Sequence, residues 1–289
     1  MSNPNIWVVG ARPRTLPAAI APVLVGTSLI RRDHHSINYL NALLALVVSL
    51  LLQIAVNYSN DYSDGIRGTD SSRVGPIRLV ASGLASARAV KQAAIIAFAS
   101  AAMAGVVLAL RSSWWLVLVG AISILAAWTY TGGKRPYGYS GFGEISVFIF
   151  FGLVATVGSY VAQSRHISWQ SVLVSLPVGA LSCSLLAVNN LRDLPKDSLV
   201  SKRTLAVRLG DRRARHMFIG LLLFAHLSAA LAALITPWTL ITLLFAPYTW
   251  QIIKAIRSGA QGAALIPMLG RIGKLQLFLS LSLALALLV

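Results

Sequence analysis

Nine apolar segments, each near the roughly 20 residues that carry a helix across a bilayer, recur along this chain. They fall at about 13–30, 39–58, 89–110, 113–131, 145–163, 171–190, 214–235, 238–255 and 273–289. A backbone inside lipid must satisfy its own hydrogen bonds, so runs of this kind form helices that pack into a bundle. A soluble domain of 289 residues does not sustain 56% apolar and only 11% charged residues with a mean hydropathy of +0.73. The expected fold is all-α: a polytopic membrane protein with nine transmembrane helices and one domain over residues 1–289. Arg12 and Arg14 precede the first apolar run, but no small-residue cleavage site ends it, so that helix is expected to be retained. Cys183 is the single cysteine and lies in an apolar run, which excludes an intramolecular disulfide and a cysteine metal cluster and predicts a small buried side chain.

The net charge of +17 would point to nucleic acid in a soluble protein, but its distribution does not. With the N-terminus inside, 21 of the 25 Lys and Arg fall in cytoplasmic segments, and only Arg31, Arg32, Arg111 and Arg165 fall outside. Basic residues follow the cytoplasmic side in this way during insertion. The expectation is a multi-pass cell-membrane protein with the N-terminus and the longest loops cytoplasmic, the C-terminus outside, the lipid bilayer as partner and no nucleic-acid role.

The eight acidic residues are rarer and more telling. Asn57-Tyr-Ser-Asn-Asp61-Tyr-Ser-Asp64-Gly-Ile-Arg67-Gly-Thr-Asp70 follows the second run, and Ala187-Val-Asn189-Asn-Leu-Arg-Asp193-Leu-Pro-Lys-Asp197 follows the sixth. Both contain Ala-Val-Asn-x-x-x-Asp. An acid at the centre of a membrane helix costs about 2.5–3.5 kcal/mol on insertion scales, and such residues default to a functional reading. If the helices continue past the lipid, Asn57, Asp61 and Asp64 share one face, as do Asn189, Asp193 and Asp197. Two such faces meeting at one mouth suit Mg²⁺, which binds through one or two carboxylates, water and phosphate oxygens. Zinc would require His or Cys, and neither lies near either motif. The plainer alternative is that these acids are loop charges or helix caps.

The longest loops, about 59–88 and 191–213, begin with the acids and continue with bases: Arg67, Arg73 and Arg78 in the first, Lys202, Arg203 and Arg208 in the second. A third stretch, Tyr130-Thr-Gly-Gly-Lys134-Arg-Pro-Tyr137-Gly-Tyr139-Ser-Gly-Phe-Gly-Glu144, has a weak echo at Met268-Leu-Gly-Arg271-Ile-Gly-Lys274. The order reads as two four-helix units and a closing helix. Lys134, Lys202, Arg203 and one first-loop arginine are the expected diphosphate donors, although positive-inside bias alone would also place bases here. Arg212, Arg213 and Arg215 are left to topology. Tyr130, Tyr137 and Tyr139 are read as substrate-orienting or interfacial, the Trp114-Trp115 pair as an interfacial belt, and the five histidines as solvated or interfacial.

The acid motifs on this pattern of spans resemble the UbiA superfamily of intramembrane aromatic prenyltransferases. Asn60 to Asp70, Arg73-Val-Gly-Pro-Ile-Arg78-Leu-Val-Ala-Ser-Gly83, the Tyr130–Glu144 stretch and Lys202-Arg-Thr-Leu-Ala-Val-Arg208-Leu-Gly210 are similar to its 1,4-dihydroxy-2-naphthoate polyprenyltransferase branch. The 4-hydroxybenzoate branch usually has Arg-Pro after the first acids, where Gly75-Pro76-Ile-Arg78 stands here, and Lys134 stands where an apolar or small residue is common. The resemblance implies transfer of a polyprenyl group from polyprenyl diphosphate to 1,4-dihydroxy-2-naphthoate, with loss of carbon dioxide and diphosphate, giving demethylmenaquinone. It implies that Asp61, Asp64, Asp193 and Asp197 hold Mg²⁺ and carry catalysis. Asn57, Arg67, Asp70, Arg73, Arg78, Tyr130, Lys134, Tyr137, Asn189, Lys202 and Arg203 would line the substrate site. Within that set Asn57 and Asn189 would orient the ligating carboxylates, and Asp70 would be a ring-side acid or a loop organiser. Rival readings keep the fold with another phenolic acceptor such as 4-hydroxybenzoate, or change class to a divalent-cation transporter. A CDP-alcohol phosphotransferase shares only Asp61-x-x-Asp64-Gly65.

Overall fold

Residues 5–33, 35–68, 75, 77–200 and 202–289 are described by the computed structural model. Asp70, Arg73 and His34 lie outside the described residues. In chain order the helices are α1 (Ile6–Ala11), α2 (Pro17–Ser28), α3 (Tyr39–Ile66), α4 (Ala87–Arg111), α5 (Trp115–Thr131), α6 (Gly143–Val147), α7 (Ala155–Ser164), α8 (Trp169–Asp197), α9 (Leu205–Leu231), α10 (Ala246–Arg257) and α11 (Ile266–Leu288). Among the described residues there is no strand. Local chemistry sets the boundaries. Asn38, Ser86 and Thr204 each accept a backbone N–H at the start of a helix, and Ser168 forms a reciprocal capping box with Ser171.

Each predicted apolar run coincides with helix. Seven helices among the described residues are long and apolar enough to cross a membrane, and the bent pair Ile6–Thr15 with Pro17–Asp33 would be an eighth. The remaining run, Trp115–Thr131, is apolar but shorter, at 17 residues. Gly143–Ser164 counts as one span although Phe148–Val154 within it is wound as a π-helix, a geometry that often marks functional sites.

Two predicted loops are shorter than the sequence implied. α3 runs to Ile66 and α8 to Asp197, so the connections shrink to 67–86 and 198–204. Polarity marked where the chain leaves lipid, while the helical hydrogen bonds continued for two further turns. α9 begins at Leu205, earlier than expected, and bends at Gly210, whose φ of 74° suits glycine.

α8 is the central helix. In its most apolar window 78% of residues are buried, against 22% in α3. α3 pairs extensively with α4 and α8 with α9, the second and third helices of each half, while α11 closes against α2 and α8. Outward faces stay apolar, with Leu118, Ile122, Leu125, Leu227 and Leu244 exposed as a lipid-facing surface requires. At one end Asn41 bonds the Ala162 carbonyl and receives Arg111, and Tyr160 donates to Asp33. The acids of α3 lie toward the other end of this 28-residue helix, about 30–35 Å from Asn41. Cys183 is buried as expected, and its thiol donates to the Glu144 carbonyl. His226 departs from the solvated or interfacial expectation: it bonds Thr249 across the α9–α10 contact at 2.7 Å.

Where the π-helix crosses α8 the backbones nearly touch. A Cβ at Gly152 would lie 2.6 Å from the Gly179 Cα, and one at Gly179 would lie 3.0 Å from the Phe148 ring. Without a hydrophobic drive between helices in lipid, such close approach supplies dispersion contact. Gly152→Leu and Gly179→Leu should each destabilise the bundle by about 1–3 kcal/mol through overpacking. The thermal midpoint in detergent should fall accordingly, whereas Gly220→Leu, which opens onto free space, should leave it unchanged.

Candidate active site

The two acid motifs come to one place because α3 and α8 both continue as helices beyond their apolar runs. Asp64 of α3 and Asp193 of α8 line a single cavity of about 480 Å³. Its polar end also carries Arg12, Asn57, Asn60, Arg78, Tyr130, Tyr139, Asn189, Asn190 and Lys202. The remainder is apolar, walled by α3, α4, α5 and the π-helix through residues such as Leu52, Gly105, Leu116, Ile124, Phe150 and Phe151. A charged group fits one end and a hydrocarbon chain the other.

Among the described residues each of the four carboxylates predicted to hold metal is compensated. Asp61 is fully buried, and its two oxygens accept the backbone N–H groups of Leu79 at 2.8 Å and Val80 at 3.1 Å. It does not line the cavity; it folds the 77–86 segment back onto α3, where Leu79 packs among Tyr58, Val90 and Ala94. Asp64 accepts the Tyr139 hydroxyl and faces Arg78 at 3.6 Å. Asp193 takes a bidentate pair from its neighbour Arg192, both contacts at 2.7 Å. Asp197 lies 3.6 Å from Lys202, outside the cavity lining.

The basic residues divide. Arg78 and Lys202 reach the cavity. Arg67 instead donates to the Thr131 and Gly133 carbonyls, tying the end of α3 to the glycine stretch. Lys134 is exposed in a shallow outer depression with Arg67, Arg135 and Lys202, and Arg203 is exposed outside both. The Tyr139 ring joins the two regions, with Arg67 at 5.5 Å and Lys202 at 5.4 Å from its centroid. Arg215, left to topology by the sequence, bonds the Ile256 and Ala260 carbonyls and secures the end of α10.

Asn57 and Asn189 do not orient the carboxylates as expected. Asn57 donates to the Ala11 carbonyl and Thr15, pinning the N-terminal segment, and Asn189 donates to Leu185 of its own helix. Both still line the cavity. Tyr130 and Tyr137 meet edge to face at 5.5 Å, and the Tyr137 hydroxyl donates to the Ala126 carbonyl. Burial raises the Tyr137 phenol above its ordinary value despite its Ser146 bond, which keeps it a neutral donor.

Sequence reasoning missed Arg12, Asn60 and Arg192. Arg12 sits at a left-handed φ of 53° and reaches the Asn57 carbonyl at 3.3 Å. Arg192 lies inside the second acid motif, where a base beside an acid on a buried helix is a usable signal. Its guanidinium is fully buried, and a Cβ at Gly75 would lie 3.2 Å from its Cζ.

Among the described residues no group of three or more His, Cys, Asp or Glu could hold a metal. Mg²⁺ needs no such group, since it uses one or two carboxylates and fills its shell with water and phosphate oxygens. Asp64 and Asp193 supply the two carboxylates on one cavity, with amide oxygens nearby and neither His nor Cys in the lining. The donor set fits a hard, oxygen-loving cation.

Residues 19–285 match the UbiA prenyltransferase family. The chain is 51% identical over 278 residues to 1,4-dihydroxy-2-naphthoate octaprenyltransferase of Mycobacterium tuberculosis, covering 96% of this chain and 95% of that protein. It is 36% identical to the protein of the same name from Escherichia coli over 281 residues, covering 94% and 91%. In fold it is similar to a UbiA homolog from Archaeoglobus fulgidus bound to GPP and Mg²⁺, with a TM-score of 0.69, 15% identity and coverage of 97% and 99%.

Asp61→Asn tests the anchoring of the loop. An amide keeps one acceptor oxygen and turns a donor toward a backbone N–H, which should cost about 1–3 kcal/mol locally. Hydrogen exchange of the Leu79 and Val80 amides should quicken while exchange in α8 stays as it was. Unchanged protection at those two amides would show that Asp61 does not hold the loop.

Proposed function

Because the chain belongs to the UbiA prenyltransferase family, we propose that it transfers a polyprenyl group from polyprenyl diphosphate to 1,4-dihydroxy-2-naphthoate. The reading rests chiefly on one observation: acids from both halves of the chain, Asp64 and Asp193, share one cavity with cations at one end and an apolar wall beyond. The apolar wall takes the isoprenoid tail. Arg78 and Lys202 donate to the diphosphate oxygens, and Asp64 and Asp193 would hold magnesium beside them. When bound, that ion supplies Lewis-acid stabilisation of the charge growing on the departing diphosphate.

The allylic C–O bond breaks with its electron pair leaving on diphosphate. The carboxyl-bearing ring carbon forms the new C–C bond, and carbon dioxide departs, returning the pair to the ring. The product is the demethylmenaquinone skeleton in its quinol form. An allylic cation would be quenched by water, so the 77–86 segment clamped on Asp61 acts as a cover beside the site. Tyr130 and Tyr137 supply a rigid aromatic wall for the acceptor ring.

Two measurements check this reading. Purified protein given labelled prenyl diphosphate and dihydroxynaphthoate should release lipid product and carbon dioxide together with Mg²⁺, and neither with EDTA. Asp64→Asn and Asp193→Asn should each lower both by roughly 100-fold or more, the loss typical of a preorganised electrostatic group. Near-native rates in these variants would overturn the site.

The site's mouth is assigned to the cytoplasmic face of the cell membrane, with the C-terminus on the far side, on the distribution of Lys and Arg. Cys183 is buried, so introduced cysteines report cleanly. In intact cells a membrane-impermeant maleimide should label Arg165→Cys and spare Lys134→Cys; the reverse pattern would invert the orientation.

A further inference from the structure

Leu186, Asn189, Asn190 and Asp193 form one lining face of α8. Asn190 differs from Asn189 in what holds it. Its Nδ2 donates to Oε1 of Glu144 at 2.9 Å, across the contact between α8 and α6. Glu144 is 6% exposed, and among the described residues no basic side chain pairs with it. Its Oε2 has no hydrogen-bond partner among the described residues. The backbone around it is fixed, since the Cys183 thiol bonds the Glu144 carbonyl and a Cβ at Gly143 would lie 3.0 Å from the Tyr130 hydroxyl. A carboxyl group buried this deeply, with a single amide as side-chain donor, calls for a reason.

Oε1 of Glu144 accepts from the NH₂ end of the amide, which turns the carbonyl end away. Oδ1 of Asn190 accepts no hydrogen bond among the described residues, and Asn190 lines the cavity. The cavity wall therefore offers a fixed acceptor between the Tyr130–Tyr137 corner and Asp193. Such an oxygen repels a diphosphate, which is itself all acceptor, and has nothing to offer an isoprenoid tail. Of the two substrates proposed, the aromatic acceptor carries the O–H groups that match it.

We propose that Asn190 binds a ring hydroxyl of the aromatic acceptor and that Glu144 is a positioning residue that holds the Asn190 amide in the orientation required. This rests on the naphthoate reading and adds to it the group that distinguishes a hydroxylated ring from its ether. A site built to bond a hydroxyl discriminates strongly against an analogue lacking it, because the buried partner is left unpaired.

The test uses wild type, Asn190→Leu, Glu144→Gln and the double variant, with Mg²⁺ and both substrates varied separately. Asn190→Leu should raise the KM for dihydroxynaphthoate about tenfold or more. Its KM for prenyl diphosphate and its half-saturating Mg²⁺ should stay within about twofold, the scatter of groups that do not touch. Glu144→Gln should shift the same constant by less, and the double variant should be no worse than Asn190→Leu, since the pair acts as a unit. Equal shifts in both KM values, a shift in the Mg²⁺ requirement, or no shift would overturn the inference. Should neither variant remain monodisperse, binding to wild type decides. 1,4-Dimethoxy-2-naphthoate should bind at least about tenfold more weakly than the dihydroxy compound, and equal affinity would overturn the inference. Wild type that makes no product from dihydroxynaphthoate overturns the underlying reading and the inference with it; wild-type turnover with unsplit KM values overturns the inference alone.

Discussion

Four aspartates stand at the ends of two long membrane helices, and the site depends on how their charge is compensated. A carboxylate out of water is tolerated only when hydrogen bonds or opposite charge replace its hydration. Each of the four finds a different solution: two backbone amides for Asp61, a phenol and an arginine for Asp64, an adjacent arginine for Asp193 and a lysine for Asp197. These solutions bring loops and helix ends together. Without those charges the 77–86 segment would keep only the packing of Leu79 among Tyr58, Val90 and Ala94 to hold it on α3.

Compensation also sorts the acids by role, which spacing alone could not do. Asp61 and Asp64 sit one turn apart and look alike in sequence. In the fold, both oxygens of Asp61 accept main-chain N–H groups and so tie it to the loop. Asp64 and Asp193 are held by side chains, and side chains can exchange partners. Arg78 lines the cavity beside Asp64, and under the proposed function it would pass from that carboxylate to the diphosphate. In the structure the protein's own bases, with the Tyr139 hydroxyl, compensate these carboxylates.

Much of this was legible in the sequence. The apolar runs marked the helices, and the i, i+4 spacing placed Asn57 with Asp61 and Asn189 with Asp193 on common faces once the helices were extended. The loops were over-long because Asn, Asp and Ser in α3 and α8 read as connection, although main-chain hydrogen bonding does not stop where lipid does. Less visible were contacts that exist only after folding. Nothing local says that Arg67 reaches Thr131 and Gly133 while Arg78 reaches Asp64, or that Lys134 stays on the outer face. Arg12 looked like a topology signal because a basic residue before a first span always does. Its place on the cavity wall follows from the turn between α1 and α2, which only the fold specifies.

The division of labour between the halves follows from the same geometry. α3 through α5 contribute most of the apolar wall and α8 a face of amides and an acid, while the first half adds Arg12, Asn57, Asn60, Asp64 and Arg78 to the polar end. The glycine stretch lies between them, with Tyr139 reaching Asp64 of the first half and Arg203 N–H donating to the Tyr139 carbonyl from the second. A mouth assembled this way is complete only when both halves are docked. Under the proposed function the duplicated acids would hold charge on both sides of a leaving group, which takes two faces that meet.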